Sequence, residues 1–463
     1  MVVVLCGAAA SYSVLQSLVV PALGTFQRQL DTTASGVAWL LTAYLLSASV
    51  LTPVIGRLGD LFGKRRALVG SLAALAAGAA LSAVAQDLPT MLAGRVIQGA
   101  GGAVFPLAFA IIRDHVTPGL QARAIAAISA VLSVGGAAAT LLAGPVIELL
   151  SYHWLFWLPA GLAVAAAGAT LKFAPETRRV HAGRISVPGV LLFAGWLTTL
   201  LMAITELPAG RPGTVLALAG ITLPLAAGWA WWELRAAQPM VDLRTLRRPQ
   251  MRDTNVATLL LGLGMFAAWM IVPLLVQQDP RTGVGFGAPA AAVGLYLLPT
   301  AAGTLAVTPL VGRIGEASGP RSALFLGGLA AAVSYGWMAV AHGSRVSLLL
   351  ALLLEGAGIG LAFAAVAVRT VRSVPADQTG VATGINTIMR TVGGTLGTNL
   401  AGMLLAATAT VDGQPSPAAY TVCFAVFGVA LLGAALLGLR PEAGPDTTLS
   451  QVREHAPVFL SSE

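Results

Sequence analysis

Charged residues are scarce in this chain. Asp, Glu, Lys and Arg together make up 10% of its 463 residues, whereas soluble globular proteins carry about 25%. Apolar residues make up 56% of the chain and occur in long runs. This composition excludes a soluble globular domain. It predicts an all-α polytopic membrane protein, because a helix needs about 20 apolar residues to cross a bilayer.

Cysteine and histidine are scarce as well. The two cysteines, Cys6 and Cys423, both lie inside apolar segments, so neither a disulfide framework nor a metal site is expected. The five histidines lie in loops, at span ends or in the C-terminal tail, which leaves no helical cluster of His, Cys and carboxylate residues for catalysis. The sequence also lacks a nucleotide-binding loop, which argues against an ATP-driven pump. We therefore expect neither an enzyme nor a bound cofactor.

The apolar residues form fourteen runs that are long enough to span a membrane. The expected spans are 2–23, 36–56, 67–86, 89–112, 122–148, 153–173, 187–206, 212–234, 253–276, 290–312, 322–341, 346–371, 380–406 and 418–439. This six-two-six arrangement divides the chain into four parts. They are an N-terminal six-helix bundle (1–174), an inserted helix pair with flanking cytoplasmic loops (175–252), a C-terminal six-helix bundle (253–440) and a cytoplasmic tail (441–463).

The positive charges predict the orientation of the chain. With the N-terminus in the cytoplasm, 21 of the 27 Lys and Arg residues fall on the cytoplasmic side, four fall outside and two lie within spans. Cytoplasmic loops of membrane proteins carry such an excess, so both termini are expected in the cytoplasm. The net charge of +8 resides in these short clusters, and no nucleic-acid partner is expected.

The basic segment 56–66 belongs to an internal repeat. Residues 51–60, LTPVIGRLGD, match residues 307–316, VTPLVGRIGE, at an offset of 256 residues. A repeat at that spacing predicts two related halves. We expect residues 56–66 to form a short cytoplasmic loop whose glycines permit a tight reversal of the backbone.

The segment from Trp39 to Arg66 resembles the signature loop between helices two and three of the major facilitator superfamily. The resemblance implies two bundles that rock around a central site, with a latch between the halves. Asp60 is expected to face the start of the thirteenth span near Gly380, because the positive end of a helix dipole favours a carboxylate. The alternative is that Asp60 only balances the basic loop. The expected latch and gate residues are Gly56, Arg57, Asp60, Gly63, Arg65, Arg66, Gly144, Pro145, Arg313 and Glu316.

Two further segments of the N-terminal half resemble motifs of the same superfamily. Residues 92–102 resemble the helix-four motif, whose arginine, here Arg95, is implicated in proton coupling. Insertion of an arginine at the centre of a membrane helix costs about 2.5–3.5 kcal/mol, so Arg95 needs a partner. The alternative is therefore a structural arginine that snorkels or binds backbone carbonyls. Residues 143–148 resemble in part the helix-five antiporter motif, in which a glycine-proline step interrupts the helical hydrogen bonds. Glu148 departs from that pattern. It is either a proton-coupling candidate or a carboxylate that faces water.

The remaining proton-coupling candidates lie in the C-terminal half. One branch of this superfamily usually carries an aspartate in helix one, where this chain has Tyr12, so coupling through that carboxylate is not available. Glu355 lies deep in an apolar span as the repeat counterpart of Gln98, and burial favours its protonated form. Arg390 is the only cation deep in this half and is placed to neutralise Glu355. Either a permanent Glu355–Arg390 ion pair joins two helices, or Glu355 exchanges a proton as substrate moves.

The six-two-six arrangement and the tryptophan-rich segment His153–Pro159 resemble the fourteen-helix drug:proton antiporters of the superfamily. The resemblance implies proton-driven export of amphiphilic drugs or antibiotics across a bacterial cell membrane, with the proton gradient as energy source. We expect a monomer that interacts with substrate, protons and the lipid bilayer. The alternative is a facilitator or importer of a specific metabolite without proton antiport. The expected substrate cavity is lined by Tyr12, Gln16, Gln98, Phe105, Trp269 and Asn386.

Overall fold

The chain is represented by a computed structural model. It describes residues 1–19, 22, 25–26, 29–32, 34–176, 186–206, 211–236, 243, 248–289, 292–317, 319–374, 378–407 and 415–440, apart from the side chains of 34–38, 42, 118, 132–133, 137, 140, 148, 282, 308–309 and 311–317. The predicted cytoplasmic tail, 441–463, lies outside the described residues.

The described part of the chain is built from long helices that follow the predicted spans. They are α1 (Val2–Leu18), α2 (Ala34–Phe62), α3 (Lys64–Ala83), α4 (Leu88–His115, with a 3₁₀ segment at Gly99–Ala103), α5 (Pro118–Leu149), α6 (Trp154–Phe173), α7 (Val187–Glu206), α8 (Pro212–Arg235), α9 (Pro249–Gln277), α10 (Val293–Ala317), α11 (Gly319–Ala341), α12 (Arg345–Arg372), α13 (Thr379–Ala407) and α14 (Pro417–Leu439). Eleven of these helices are long and apolar enough to cross a membrane.

The helix α13 is not among those eleven. It is 29 residues long but carries six threonines, two asparagines and an arginine, which lower its hydropathy. Most of the threonine hydroxyls donate hydrogen bonds to the carbonyl four residues earlier in the same helix, for example Thr387 to Thr383 and Thr391 to Thr387. The helix therefore satisfies these polar groups internally, as a membrane interior requires.

Local sequence signals mark several helix starts. The helices α4, α12 and α14 follow Asp87, Ser344 and Ser416, and each of these side chains accepts a hydrogen bond from the backbone N–H three residues later. Such caps satisfy N–H groups that have no partner within the helix. The helices α5, α8 and α9 begin with proline, whose missing N–H removes no intrahelical bond at that position.

The turn between α2 and α3 is shorter than the predicted loop over residues 56–66. Helix α2 continues through Gly56 and Asp60 to Phe62, and the reversal takes place at Gly63, which has a φ of +113°. Its repeat counterpart Gly319 has a φ of +77° at the start of α11. Both positions need the left-handed backbone that glycine adopts readily. The predicted eleven-residue loop is thus corrected to a turn centred on one glycine.

The two halves each enclose an apolar core of their own. Corresponding helix pairs approach closely at glycines: a Cβ at Gly78 of α3 would lie 2.6 Å from the Gly94 carbonyl oxygen of α4, and a Cβ at Gly327 of α11 would lie 2.7 Å from the Gly358 oxygen of α12. Small residues at such contacts let backbones pack together where lipid supplies no hydrophobic drive for association.

The halves meet through two equivalent pairs of helices. Helix α2 packs against α13, and α10 packs against α5. In a chain of two related halves, α10 corresponds to α2 and α13 corresponds to α5, so the second contact repeats the first with the halves exchanged. This arrangement agrees with the repeat in the sequence and leaves a central space between the bundles.

The inserted pair, α7 and α8, packs against the outside of the contact between the halves. Helix α7 touches both α2 and α13. Its cluster contains Phe193, Trp196 and Trp229, with ring centroids 5.4–5.6 Å apart, and these residues pack with Ile385 and Ile388 of α13. The pair therefore contacts a helix of each half at once.

Candidate functional site

Two small adjoining cavities lie between the halves and share Met265, Thr387 and Arg390. The first, of about 40 Å³, is lined by Phe105, Phe109, Ser129, Met265, Gly360, Phe363, Ala367, Thr383, Asn386, Thr387 and Arg390. The second, of about 20 Å³, is lined by Tyr12, Gln16, Ser17, Leu45, Ala48, Ser49, Thr52, Gly102, Met265, Phe266, Trp269, Thr387, Arg390 and Thr391. These volumes admit water molecules, whereas drug-sized ligands need about 300–1,000 Å³. The halves must therefore separate before such a ligand fits.

Five of the six predicted substrate-cavity residues line these cavities. Phe105 and Asn386 line the first, and Tyr12, Gln16 and Trp269 line the second. The rings of Tyr12 and Phe105 meet edge to face with centroids 5.7 Å apart. The Asn386 amide nitrogen donates to the Thr258 hydroxyl at 2.6 Å and to Asn255 Oδ1 at 3.3 Å, which orients the amide. The sequence missed Asn255 and Thr258, although both are polar residues in an apolar span.

Gln98, the sixth, lines neither cavity and lies fully buried within the N-terminal half. Its amide nitrogen donates to the Gly78 carbonyl at 2.9 Å and to the Ser82 hydroxyl at 2.8 Å, both on α3. The small side chains at these positions let α3 and α4 approach closely enough for the amide to bond across. The prediction of a cavity-lining Gln98 is corrected to a role inside the bundle.

Arg95 lies beside Gln98, and its side chain is fully buried. Its Nε donates to the Leu40 carbonyl at 2.9 Å, Nη1 donates to Gln98 Oε1 at 2.7 Å, and the guanidinium stacks 4.3 Å from the Tyr44 ring centroid. Its Nη2 has no hydrogen-bond partner among the described residues. This arrangement agrees with the alternative of an arginine that binds a backbone carbonyl, and it leaves one donor unused.

Glu355 is buried in α12 with an exposed fraction of 1% and faces α10. Its Oε2 accepts a hydrogen bond from the Thr300 hydroxyl at 3.1 Å, while Oε1 has no hydrogen-bond partner among the described residues. The neighbouring carbonyl of Gly356 accepts from the Thr304 hydroxyl at 2.9 Å, so the two helices are tightly joined here. A carboxylate with a single donor is poorly stabilised in such surroundings, and protonation removes its charge.

Arg390 and Glu355 form no ion pair in the part of the chain that the structure describes. Arg390 lines both cavities, and its guanidinium lies 5.8 Å from the Phe363 ring centroid. Glu355 lines neither cavity, because it stands on the face of α12 that packs against α10. The expected neutralisation of Glu355 by Arg390 is therefore wrong for this conformation.

The predicted latch residues meet at one end of the contact between α2 and α13. Asp60 is buried, and a Cβ at Gly380 would lie 3.2 Å from both of its carboxylate oxygens. The carboxylate thus lies against the first turn of α13, where the helix dipole favours a negative charge. A Cβ at Gly56 would lie 2.7 Å from the Gly380 carbonyl oxygen, so the two helix backbones touch and close this end of the central space.

The basic residues of the turn have distinct partners, which the sequence did not predict. Lys64 is buried, and its ammonium lies 2.8 Å from Asp114 at the end of α4. Arg65 and Arg66 lie 3.3 and 3.4 Å from Glu176. Both acidic residues flank predicted spans on the expected cytoplasmic side, which is the signal that could have identified them.

Arg57 is half-buried within α2. A neighbouring arginine also connects the halves at the same end, since Arg113 of α4 donates to the Thr379 hydroxyl at 2.6 Å. Thr379 is the first residue of α13, next to Gly380. The start of α13 therefore contacts both α2 and α4 of the N-terminal half, and this second contact was not predicted.

The predicted gate in α5 has no kink that ends the helix, since α5 continues through Pro145 to Leu149. A Cβ at Gly144 would meet nothing within 4 Å, and Pro145 is exposed. The side chain of Glu148 lies outside what the structure describes. The same holds for Arg313 and Glu316, so these three predicted residues have no described contacts.

Comparison with known proteins adds the following similarities. Residues 5–205 and 254–462 match the sequence profile of the family described as the Major Facilitator Superfamily. The chain is 27% identical over 394 residues to the multidrug resistance protein B homolog of Mycobacterium tuberculosis. This alignment covers 82% of this chain and 71% of that protein.

Two further relatives are named for the export of antibiotics. Identity is 26% over 387 residues with the tetracenomycin C resistance and export protein of Streptomyces glaucescens, over 82% of this chain and 71% of that protein. Identity is 28% over 439 residues with the cephamycin export protein CmcT of Amycolatopsis lactamdurans, over 92% of this chain and 88% of that protein. The crystal structure of the human organic anion transporter MFSD10 (TETRAN) aligns with a TM-score of 0.65 at 16% identity, over 94% of this chain and 98% of that chain, and this likeness concerns the fold.

Proposed function

Because the chain belongs to the Major Facilitator Superfamily, we propose that it exports amphiphilic drugs or antibiotics in exchange for protons by alternating access. The chain is a multi-pass membrane transporter and not an enzyme. The proposal also includes fourteen spans, both termini in the cytoplasm, a monomeric state and a place in the bacterial plasma membrane. The asymmetry of the 27 Lys and Arg residues supports this orientation. The names of the antibiotic-exporting relatives support the direction of transport.

One observation carries the alternating-access mechanism. The cavities are lined by residues of both halves, and the backbone contact between Gly56 and Gly380 closes one end of the space that contains them. A drug-sized substrate can leave or enter this site only if the halves move relative to each other. Asp60 would hold closed the end of the central space that carries the basic turn between α2 and α3, here called the basic end. Loss of its contact with α13 would release that end.

Glu355 is the proposed proton carrier. Its buried carboxylate accepts a single hydrogen bond, from Thr300, and this sparse stabilisation of the charged form favours uptake of a proton. The other candidates fit less well. Arg95 already binds a carbonyl, an amide oxygen and an aromatic ring, and Arg390 lines the cavity, where it can contact substrate. We therefore assign Arg95 a structural role within the N-terminal half.

The test is efflux from proteoliposomes under an imposed pH gradient, with N-phenyl-1-naphthylamine as a neutral fluorescent substrate. Wild type is compared with Glu355→Gln, and Glu206→Gln provides the matched control because Glu206 lies at the end of α7, away from the cavities. We expect the gradient to accelerate efflux in wild type and in the control. Glu355→Gln should bind substrate yet lose this acceleration.

Each contrary outcome points to a different error. Wild-type movement of N-phenyl-1-naphthylamine that ignores the pH gradient would favour a facilitator over an antiporter. Gradient-driven efflux that persists in Glu355→Gln would leave the export proposal in place and move the proton carrier elsewhere, with Glu148 the next carboxylate to substitute.

A further inference from the structure

The charge of the central cavities is one-sided. Arg390 is the only residue with a full charge among the described residues that line them, and no carboxylate lines either cavity. The other lining residues are aromatic, aliphatic, hydroxyl or amide residues. A substrate in this site therefore meets a single positive charge within an otherwise uncharged and largely apolar wall.

None of the carboxylates that the structure describes lies within ion-pair distance of the Arg390 guanidinium. Its neighbours are aromatic: the Phe363 ring centroid lies 5.8 Å away, and Tyr12 and Tyr44 are close enough to interact with it electrostatically. An arginine within a membrane protein is costly unless it has a counter-charge or water. Five planar N–H donors on one face of a cavity suit a carboxylate, sulfonate or phenolate oxygen.

The neighbouring polar groups agree with this reading. The hydroxyls of Thr387 and Thr391 donate to carbonyls of their own helix, and the Asn386 amide donates to Asn255 and Thr258. These groups already bind the protein, so the charge that a ligand meets in the cavities comes from Arg390. The Gln16 amide lines the second cavity together with Arg390 and offers a further hydrogen-bond donor there.

We propose that the exported substrates are anionic amphiphiles, held by a charge-assisted hydrogen bond from Arg390 while their apolar part packs on Phe105, Phe363 and Trp269. This substrate class rests on the proposed export function and narrows it. The same guanidinium repels organic cations, because no carboxylate in the described cavity lining offsets it. Neutral amphiphiles are accepted without help from Arg390.

The test uses two probes that share one scaffold. The anion 8-anilinonaphthalene-1-sulfonate differs from neutral N-phenyl-1-naphthylamine by its sulfonate, and ethidium serves as the cation. Their binding to the purified full-length protein in lipid nanodiscs is followed by fluorescence, with empty nanodiscs subtracted. The variants are Arg390→Gln and Arg390→Lys, and the matched control is Arg281→Gln, which removes an exposed arginine outside the cavities.

We expect Arg390→Gln to weaken binding of the anion by about 10- to 100-fold, the range for a hydrogen bond to a charged group. Binding of the neutral probe should change less than about threefold, and Arg390→Lys and Arg281→Gln should retain most of the anion affinity. Ethidium should bind Arg390→Gln more tightly than wild type. Size-exclusion elution and thermal unfolding of each variant show whether it is folded. If Arg390→Gln does not fold, Arg390→Lys provides a second variant because it keeps a positive charge.

Two results would overturn the proposal: equal anion affinity in wild type and Arg390→Gln, or a parallel loss of the anionic and neutral probes. Efflux separates this outcome from failure of the export function. Gradient-driven efflux of the neutral probe together with Arg390-independent anion binding refutes the anion site alone. Arg390-dependent anion binding without gradient-driven efflux of any probe refutes the export function and retains the site.

Discussion

The contact between Gly56 and Gly380 allows a quantitative test of how the basic end of the transporter closes. A methyl group added at Gly56 would lie 2.7 Å from the Gly380 carbonyl oxygen and 2.9 Å from its carbonyl carbon, whereas ordinary contact begins at 3.4 Å. Both groups belong to helix backbones, so no flexible side chain can move aside. Gly56→Ala must therefore push α2 and α13 apart by about 0.7 Å at this end.

Overpacking of this kind costs about 1–3 kcal/mol. The cost falls on the conformation in which α2 and α13 touch, because the methyl group has free space once they separate. The ratio of closed to open molecules should then fall by roughly 5- to 150-fold. The substitution should not disturb α2 itself, since alanine is a better helix former than glycine.

Amide hydrogen exchange over residues 381–387 measures this ratio, because opening exposes the first turns of α13 to solvent. We expect these amides to exchange faster in Gly56→Ala by the same factor. The matched control is Gly70→Ala on α3, where an added Cβ would meet nothing within 4 Å, and its exchange should equal that of wild type. A second variant, Asp60→Asn, removes the charge that faces Gly380 and should accelerate exchange in the same segment.

The reasoning is refuted if Gly56→Ala and Gly70→Ala exchange alike over residues 381–387. That result would mean that the two helices are already apart in the membrane or that the contact carries no closing energy. Unchanged transport by Asp60→Asn at normal surface levels would likewise remove the latch role from Asp60 and leave it as a neutralising charge in a basic turn.

Three further outcomes are expected. Lys64→Met should lower the free energy of unfolding by about 3 kcal/mol in a denaturant titration, because it leaves Asp114 partly buried without its ion-pair partner; an effect below 1 kcal/mol would contradict this. Trp229→Ala should cost about 1–3 kcal/mol by loss of two aromatic contacts, and proteolysis should show α8 cleaved sooner than in wild type. The hydrogen bond from the Thr90 N–H lowers the pKa of Asp87, so this cap is present above the unfolded pKa and is lost as the pH falls through the folded pKa. In wild type, protection of the Thr90 amide from hydrogen exchange, relative to the intrinsic rate at each pH, should fall in that acid range. In Asp87→Asn this protection should stay constant over the same range.

The helices could be predicted from the sequence because membrane spans depend on length and apolar composition, both of which are local. The predicted span 187–206 coincides with α7, and 212–234 differs from α8 by one residue. The basic turn was harder to predict. Glycines at 56, 59 and 63 are equally permissive, and only packing shows that Gly56 faces another backbone while Gly63 makes the turn.

The position of Asp60 relative to Gly380 was predictable because the resemblance to the superfamily implies a latch between the halves and helix dipoles restrict where a buried carboxylate is stable. The positions of Gln98 and Glu355 relative to the cavity were not. A span that is apolar on all sides does not show in its sequence which face meets the partner helix. Depth in the membrane follows from sequence position, but the facing direction follows from contacts between helices that are far apart in the chain.

The separation of Glu355 from Arg390 bears on how proton and substrate are coupled in the proposed mechanism. If the two formed an ion pair, substrate and proton would compete directly for one site. Instead, α12 carries Glu355 on its α10 face, at the Thr300 contact, and Phe363 on its cavity face, 5.8 Å from Arg390. In the proposed mechanism, protonation of Glu355 would alter its bond to Thr300 at the contact between α10 and α12, and a shift of α12 there would move Phe363 in the cavity as well. Coupling would then depend on one helix shared by two sites, and we expect substitutions along α12 between residues 355 and 363 to affect it without touching either proton or substrate.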